Sequence, residues 1–329
     1  MQVVVLGAGS WGTTVASIAA RRCPTLLWAR DETVADEINR DHTNSRYLDG
    51  FTLPRRLEAS ADLGDAVRRA DVLVVGIPSS SFRSVLETAS DFLRPWVPVV
   101  SLTKGFERDS NRRMTEVIND VMPGHPAAAL TGPNLAREIM ARQAAAAVVA
   151  TSDLSVAARL QDIFSTTMFR VYRNHDVVGC ELGGALKNVI AIATGMADGL
   201  GVGDNTKAMV MTRGLAELTR LGVALGGEPA TFSGLAGMGD LIATCMSPHS
   251  RNRHVGEQLG LGRSLQEILD DMHMVAEGVR TTATVAKMAG DLGMTLPVSD
   301  AIHQVIEGNI GPAEAYRGLT PAAHESDEG

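Results

Sequence analysis

The segment ELGGALKNVIAIATGMADG, residues 181–199, carries a single charge, Lys187, between Glu181 and Asp198. At helical spacing its neighbours are Gly183, Gly184, Ile190 and Ala191, all small or apolar. Lysine is almost never fully buried without a partner, because desolvation disfavours an ammonium group. Either the stem packs while the head reaches solvent, or the amine is a positioned acid/base. TFSGLAGMGDLIATCMSPHSRN, residues 231–252, adds Asp240 at the start of an apolar run and Thr244 one turn later. Asp240 either pairs with a buried lysine or caps a helix. Ser250, Arg251 and Asn252 follow, and arginine with small polar residues suits phosphate, although an exposed loop has the same composition. SLTKGFE places Lys104 just past the carboxyl end of a strand, where open α/β sheets bind ligands. LTGPNLARE supplies a second glycine turn into a helix after the next strand.

A different chemistry is written at the start. VVVLGAGSWG sets Gly7, Gly9 and Gly12 as G-x-G-x-x-G, after an apolar strand and at the opening of a helix. In such a loop Gly7 permits the tight turn, Gly9 lets the backbone approach a pyrophosphate, and Gly12 allows close helix–strand packing. Ser10 and Trp11 lie inside the same loop. The end of the second strand, LLWARDE, puts Arg30 where the 2′-phosphate of NADP sits, so NADPH is favoured over NADH. Asp31 follows immediately, and a shift of one residue reverses that preference.

These residues need elements to hold them. Continuous apolar runs at 3–6, 25–28, 71–77, 97–102 and 127–130 suit strands buried on both faces. Runs at 144–150 and 169–172 extend the set, and helical patterns at 11–22, 61–70 and 79–93 lie between. The alternation predicts a Rossmann-type, doubly wound, mainly parallel sheet. From about residue 175 only helical patterns remain. Asp204 reads as an N-cap for a helix running to Gly226-Gly227, and Ser264 with Glu267 forms a capping box. Pro297 and Pro312 suit first turns of two more helices. The expected division is a dinucleotide-binding domain at 1–175, an all-helical substrate and catalytic domain at 176–319, and a disordered tail at 320–329.

Composition closes other routes. The chain has 329 residues and a net charge of −8, which disfavours nucleic acid and anionic membrane surfaces as partners. An anionic ligand must therefore meet a local cluster of positive groups. Cys23, Cys180 and Cys245 are three in number and widely spaced, and read as reduced core thiols. The eight histidines show no HxH or HExxH spacing, so no metal site is expected, and His249 stands behind the phosphate-binding residues at most. Met1 leads straight into QVVVLGAGS without a basic leader, and no apolar run is read as long enough to span a bilayer. A cytoplasmic location is expected.

GAGSWG, SLTKG, GPNLARE, ALKN with GMADGLGVGDNTKA, TFSGLAGMGDLIATC, SRN and AEGVRT occur in this order along nearly the whole chain. Together they resemble the bacterial NAD(P)-dependent glycerol-3-phosphate dehydrogenases. The resemblance implies reversible reduction of dihydroxyacetone phosphate to sn-glycerol 3-phosphate, which supplies the phospholipid backbone. It gives Lys187 the acid/base role and makes it a substrate contact. Lys104 and Asp240 would line the substrate, with Ser250, Arg251 and Asn252 around its phosphate and the cofactor; Lys104 and Arg251 would touch both. Gly132, Asn134 and Ala136 fall on positions that touch substrate or cofactor, and Val275 and Glu277 on distal cofactor contacts. A homodimer is expected because the family usually forms one. Two departures stand out: Asn134-Leu135 where the family more often has Ser or Thr with Phe, and Thr13-Thr14-Val15 in place of T-A-L. A 3-hydroxy acid dehydrogenase of similar design and a non-catalytic NADPH-binding sensor are the rival readings.

Overall fold

The computed structural model describes residues 1–272 and 276–318. The chain divides into two compact units, Met1–Glu181 and Leu182–Gly329. The first is built on eight strands: β1 Val3–Leu6, β2 Thr25–Trp28, β3 Leu57–Ser60, β4 Val72–Val75, β5 Val99–Ser101, β6 Ala127–Thr131, β7 Ala145–Ala150 and β8 Phe169–Asn174. They form one sheet in the order β3-β2-β1-β4-β5-β6-β7-β8. Every neighbouring pair is parallel except β6 and β7. The reversal of order beside β1 is the switch point at which doubly wound sheets bind ligands.

Two apolar clusters explain why β1 and β4, in the middle of the sheet, are apolar at every position. Val3, Val5, Leu27, Val72 and Val74 join one cluster, while Val4, Leu6, Leu26, Leu73 and Val75 join the other. Alternate side chains thus enter opposite faces, and helices cover both. β3 departs from the sequence reading, in which it has no counterpart. LEAS is a short edge strand paired only to β2, with Glu58 exposed, so it lacks the continuous apolar signature of the central strands.

The second unit is helical throughout its described residues. Its longest element, Val177–Gly199, begins in the last residues of the first unit and carries Lys187. Its most apolar window has a mean hydropathy of 1.4, enough by length and composition for a membrane span, which corrects the reading that no run reaches that length. That window is 89% buried within the protein, as in a core helix. The helix Asp204–Ala224 is capped by Gly203 rather than Asp204; Asp204 is its first residue and pairs with Lys207 at 2.7 Å. The Ser264–Glu267 capping box is present, and Pro297 and Pro312 each open a helix. The three cysteines are buried free thiols. The tail expected at 320–329 lies outside the described residues.

Candidate active site

The dinucleotide end is made by backbone. Gly7 follows β1 at φ +109, and a Cβ there would lie 2.5 Å from the carbonyl oxygen of Gly76. A Cβ on Gly12 would drive into the carbonyl oxygen of Gly7. Gly9 differs: it caps the helix Ser10–Ala19, and among the described residues no atom beyond its chain neighbours lies within 4 Å of where its Cβ would be. Gly7 and Gly12 serve the fold, whereas Gly9 leaves the helix N-terminus open, a position that suits a pyrophosphate. Trp11, edge-on to Phe169, has a buried indole Nε1 with no hydrogen-bond partner among the described residues. An open helix start beside an unused buried donor fits a dinucleotide. Arg30 and Asp31 are exposed just past β2.

Farther along the sheet, Lys104 stands three residues past β5 and is half-buried. Its Nζ donates to the carbonyl oxygen of Gly132 at 3.0 Å and to Asn134 Oδ1 at 2.8 Å. Gly132 turns the chain out of β6 at φ +114, and Ala136 starts the short helix that follows. Asn134 Nδ2 is buried and has no hydrogen-bond partner among the described residues. Braces hold the Lys104 loop: Thr103 Oγ1 donates to the carbonyl oxygen of Ile77 at 2.6 Å, and Arg83 pairs with Glu107 at 2.6 Å.

In the second unit Lys187 is 5% exposed, which removes the solvent-reaching alternative. Its Nζ donates to Asp240 Oδ1 at 2.7 Å and to Thr244 Oγ1. Asp240 is not the N-cap of the helix Asp240–Met246 but its first residue, the N-cap being Gly239. The carboxylate instead offsets a buried cation that would be costly alone. One turn of π-helix, Leu235–Gly239, precedes Asp240 and aims it; such turns recur at functional sites. A Cβ on Gly183 would lie 2.6 Å from the carbonyl oxygen of Ala236, so the small residue lets this turn lie against the Lys187 helix. Burial pushes the neighbouring Cys245 thiol up to about 11, so it stays protonated and packs.

The helix Arg251–Gly260 brings the third group. Ser250 caps it, accepting from the Arg253 amide at 3.2 Å. Asn252 Oδ1 accepts from the Gly278 amide at 2.9 Å, which ties this helix start to that of Glu277–Asp291. A Cβ on Gly278 would lie 2.8 Å from the carbonyl oxygen of Asn188, next to Lys187. Arg251, Asn252 and Glu277 thus gather where two helix N-termini meet the Lys187 helix. Arg251 reaches solvent, yet surrounding protein desolvates its guanidinium and lowers its pKa, opposed by the Glu277 carboxylate. Val275 lies outside the described residues. Asp198 closes the far end, held by Arg253 at 2.7 Å and Lys207 at 3.2 Å.

Two positioning residues escaped the sequence reading. Glu181 is buried; it accepts from the Thr115 amide at 2.9 Å and from its hydroxyl, and pairs with Arg113 at 2.8 Å. Burial pushes its carboxyl up, opposed by Arg113. Asn44, fully buried, reaches the glycine loop through the carbonyl oxygen of Ala8 at 2.9 Å. Neither has a spacing signal, because each partner is distant in sequence.

A glycine loop on a doubly wound sheet, with a helical unit that buries a lysine–aspartate pair, defines an NAD(P)-dependent oxidoreductase of the two-domain type. Comparison with known proteins specifies which. Residues 2–157 match the N-terminal model of NAD-dependent glycerol-3-phosphate dehydrogenase, and residues 176–317 match its C-terminal model. The chain belongs to this family. It is 58% identical to a glycerol-3-phosphate dehydrogenase of NAD(P)+ type from Sphingopyxis alaskensis, covering 97% of this chain and 96% of that one. A relative of the same description from Mycobacterium avium is 54% identical over 97% and 94% of the two chains. The crystal structure of glycerol-3-phosphate dehydrogenase from Coxiella burnetii superimposes with a TM-score of 0.92 at 34% identity, covering 97% and 98%. These likenesses do not favour the 3-hydroxy acid reading.

Proposed function

We propose that this chain reduces dihydroxyacetone phosphate to sn-glycerol 3-phosphate, reversibly, and so supplies the glycerol backbone of phospholipids. The observation that carries the proposal is the buried Lys187, bonded to Asp240 and Thr244 in the segment that leads to the phosphate-suited Arg251. A bound nicotinamide supplies or takes the hydride. Lys187 Nζ gives a proton to the carbonyl oxygen during reduction and recovers it from the hydroxyl during oxidation. Asp240 and Thr244 fix the direction of that ammonium group. Lys104, oriented by Gly132 and Asn134, lends positive charge to the oxygen as its negative charge develops. Ser250, Arg251 and Asn252 hold the phosphate, an anchor away from the reacting carbon that supplies orientation.

Gly7, Gly9, Ser10, Trp11, Gly12, Arg30, Lys104, Ala136, Arg251, Val275 and Glu277 form the cofactor set, with NADPH preferred to NADH. Residues 1–175 act as the cofactor domain and 176–319 as the substrate domain. The working form is a cytoplasmic homodimer. The test is oxidation of NADPH and of NADH, followed at 340 nm with dihydroxyacetone phosphate and, in parallel, with 3-oxo acids. Turnover with the phosphate ester alone is expected. Turnover with a 3-oxo acid alone, or with neither, contradicts the proposal.

A further inference from the structure

The end of β2 decides which dinucleotide is preferred, and there Arg30 and Asp31 stand side by side. Asp31 is the N-cap of the helix Glu32–Asp41. Its Oδ1 accepts from the Thr33 amide at 3.0 Å and from Thr33 Oγ1 at 2.7 Å. Its Oδ2 accepts from Arg46 Nη1 at 3.1 Å. Oδ1 is therefore filled by two donors, and Oδ2 is bound to Arg46, so a ribose hydroxyl has to compete with the guanidinium for this carboxylate.

Arg46 is held in this corner by its neighbours. It lies in the short helix Ser45–Leu48, which is fastened to the glycine loop on both sides of the arginine. Before it, Asn44 Nδ2 donates to the Ala8 carbonyl oxygen and to Thr13 Oγ1, both at 2.9 Å. After it, the Tyr47 carbonyl oxygen accepts from Ser10 Oγ at 2.8 Å. Ala8, Ser10 and Thr13 all belong to the loop and the first turn of its helix. Arg46 is consequently registered to the phosphate-binding backbone and to the end of β2 together.

We propose that Arg46 is a second 2′-phosphate residue, which with Arg30 selects a 2′-phosphorylated dinucleotide while its ion pair with Asp31 competes with a ribose diol for that carboxylate. This rests on the dinucleotide reading given above. Arg30, just past β2, and Arg46, bonded to Asp31, offer two guanidinium groups to a dianionic phosphate, beside the carboxylates of Asp31 and of Glu37, which accepts from the Ser45 amide at 2.7 Å. One nitrogen of Arg46 faces Asp31, and the others remain as donors to an anion. Because loop and ion pair already order the side chain, less freedom is lost when phosphate binds.

The test is equilibrium binding, by tryptophan fluorescence of the full chain titrated with NADPH and with NADH. The wild type is expected to bind NADPH more tightly. Arg46→Gln removes a charged donor and frees Asp31, so its NADPH affinity falls about tenfold while its NADH affinity holds or rises. Arg46→Lys retains part of the preference. Equal losses for the two nucleotides would make Arg46 a brace of the loop alone, and unchanged NADPH affinity would deny it any role; either overturns the proposal. A wild type that binds NADH as tightly as NADPH overturns it as well. A wild type that binds neither defeats the dehydrogenase reading itself, an outcome distinct from the others.

Discussion

Glycine does two different jobs in this molecule, at the dinucleotide loop and between two helices of the second unit. In the loop, Gly9 borders open space, and on the proposed function its missing side chain makes room for the dinucleotide. Between the helices Val177–Gly199 and Arg251–Gly260, the missing side chains make room for protein. Gly195 and Gly199 face one side of that contact, Gly256 and Gly260 the other, each pair four residues apart. A Cβ on Gly195 would drive into the carbonyl oxygen of Arg253, and one on Gly256 into that of Ile192. The two backbones therefore touch, and the contact sets Arg251 and Asn252 against the helix that carries Lys187. One glycine site costs the protein binding when filled; the other costs it the fold.

Substitution by alanine at each place separates the two jobs. Gly256→Ala meets rigid backbone and is expected to destabilise the protein by about 3 kcal/mol, read as a lowered urea midpoint. Gly9→Ala meets no protein atom, so its midpoint should stay near wild type while NADPH affinity falls about tenfold or more. A stable Gly256→Ala variant, or a Gly9→Ala variant that unfolds early, would break the comparison.

A smaller effect is expected at the brace of the Lys104 loop. The Arg83 side chain, bonded to Glu107, holds its carboxyl below the ordinary value of 4.5, aided by Ser110 and opposed by burial. An acid with a lowered folded value stabilises the protein fully above its unfolded value. That stabilisation is lost as pH falls through the folded value. The urea midpoint of the wild type should thus exceed that of Glu107→Gln near pH 7, and the gap should close below about pH 4.5. A gap that is constant with pH would remove the charge of Glu107 from the account.

The same contrast explains what was legible in the sequence. The glycine loop was readable because its glycines, strand and helix are contiguous, from Val3 to Ala19. The central strands were readable because burial on both faces demands unbroken apolar runs. β3 was not, since an edge strand with one open face has no such demand. Lys187 announced itself by being out of place, and Asp240 by opening an apolar run, but their bond spans 53 residues that no periodicity connects. Asn44, Arg46 and Glu181 were missed for the same reason: each acts through a fold-made neighbour, and each alone looks like an ordinary polar residue. The paired glycines at 195/199 and 256/260 lay in view without their partner being known.

The central claim is that the buried ammonium group of Lys187 moves the proton. Its most direct test is kcat for dihydroxyacetone phosphate reduction by Lys187→Ala, with circular dichroism and NADPH binding measured on the same sample. The variant is expected to fold, to bind NADPH like the wild type and to turn over ~10²–10⁴-fold more slowly. Near-wild-type turnover by that variant would contradict it and leave the lysine–aspartate pair a purely structural feature.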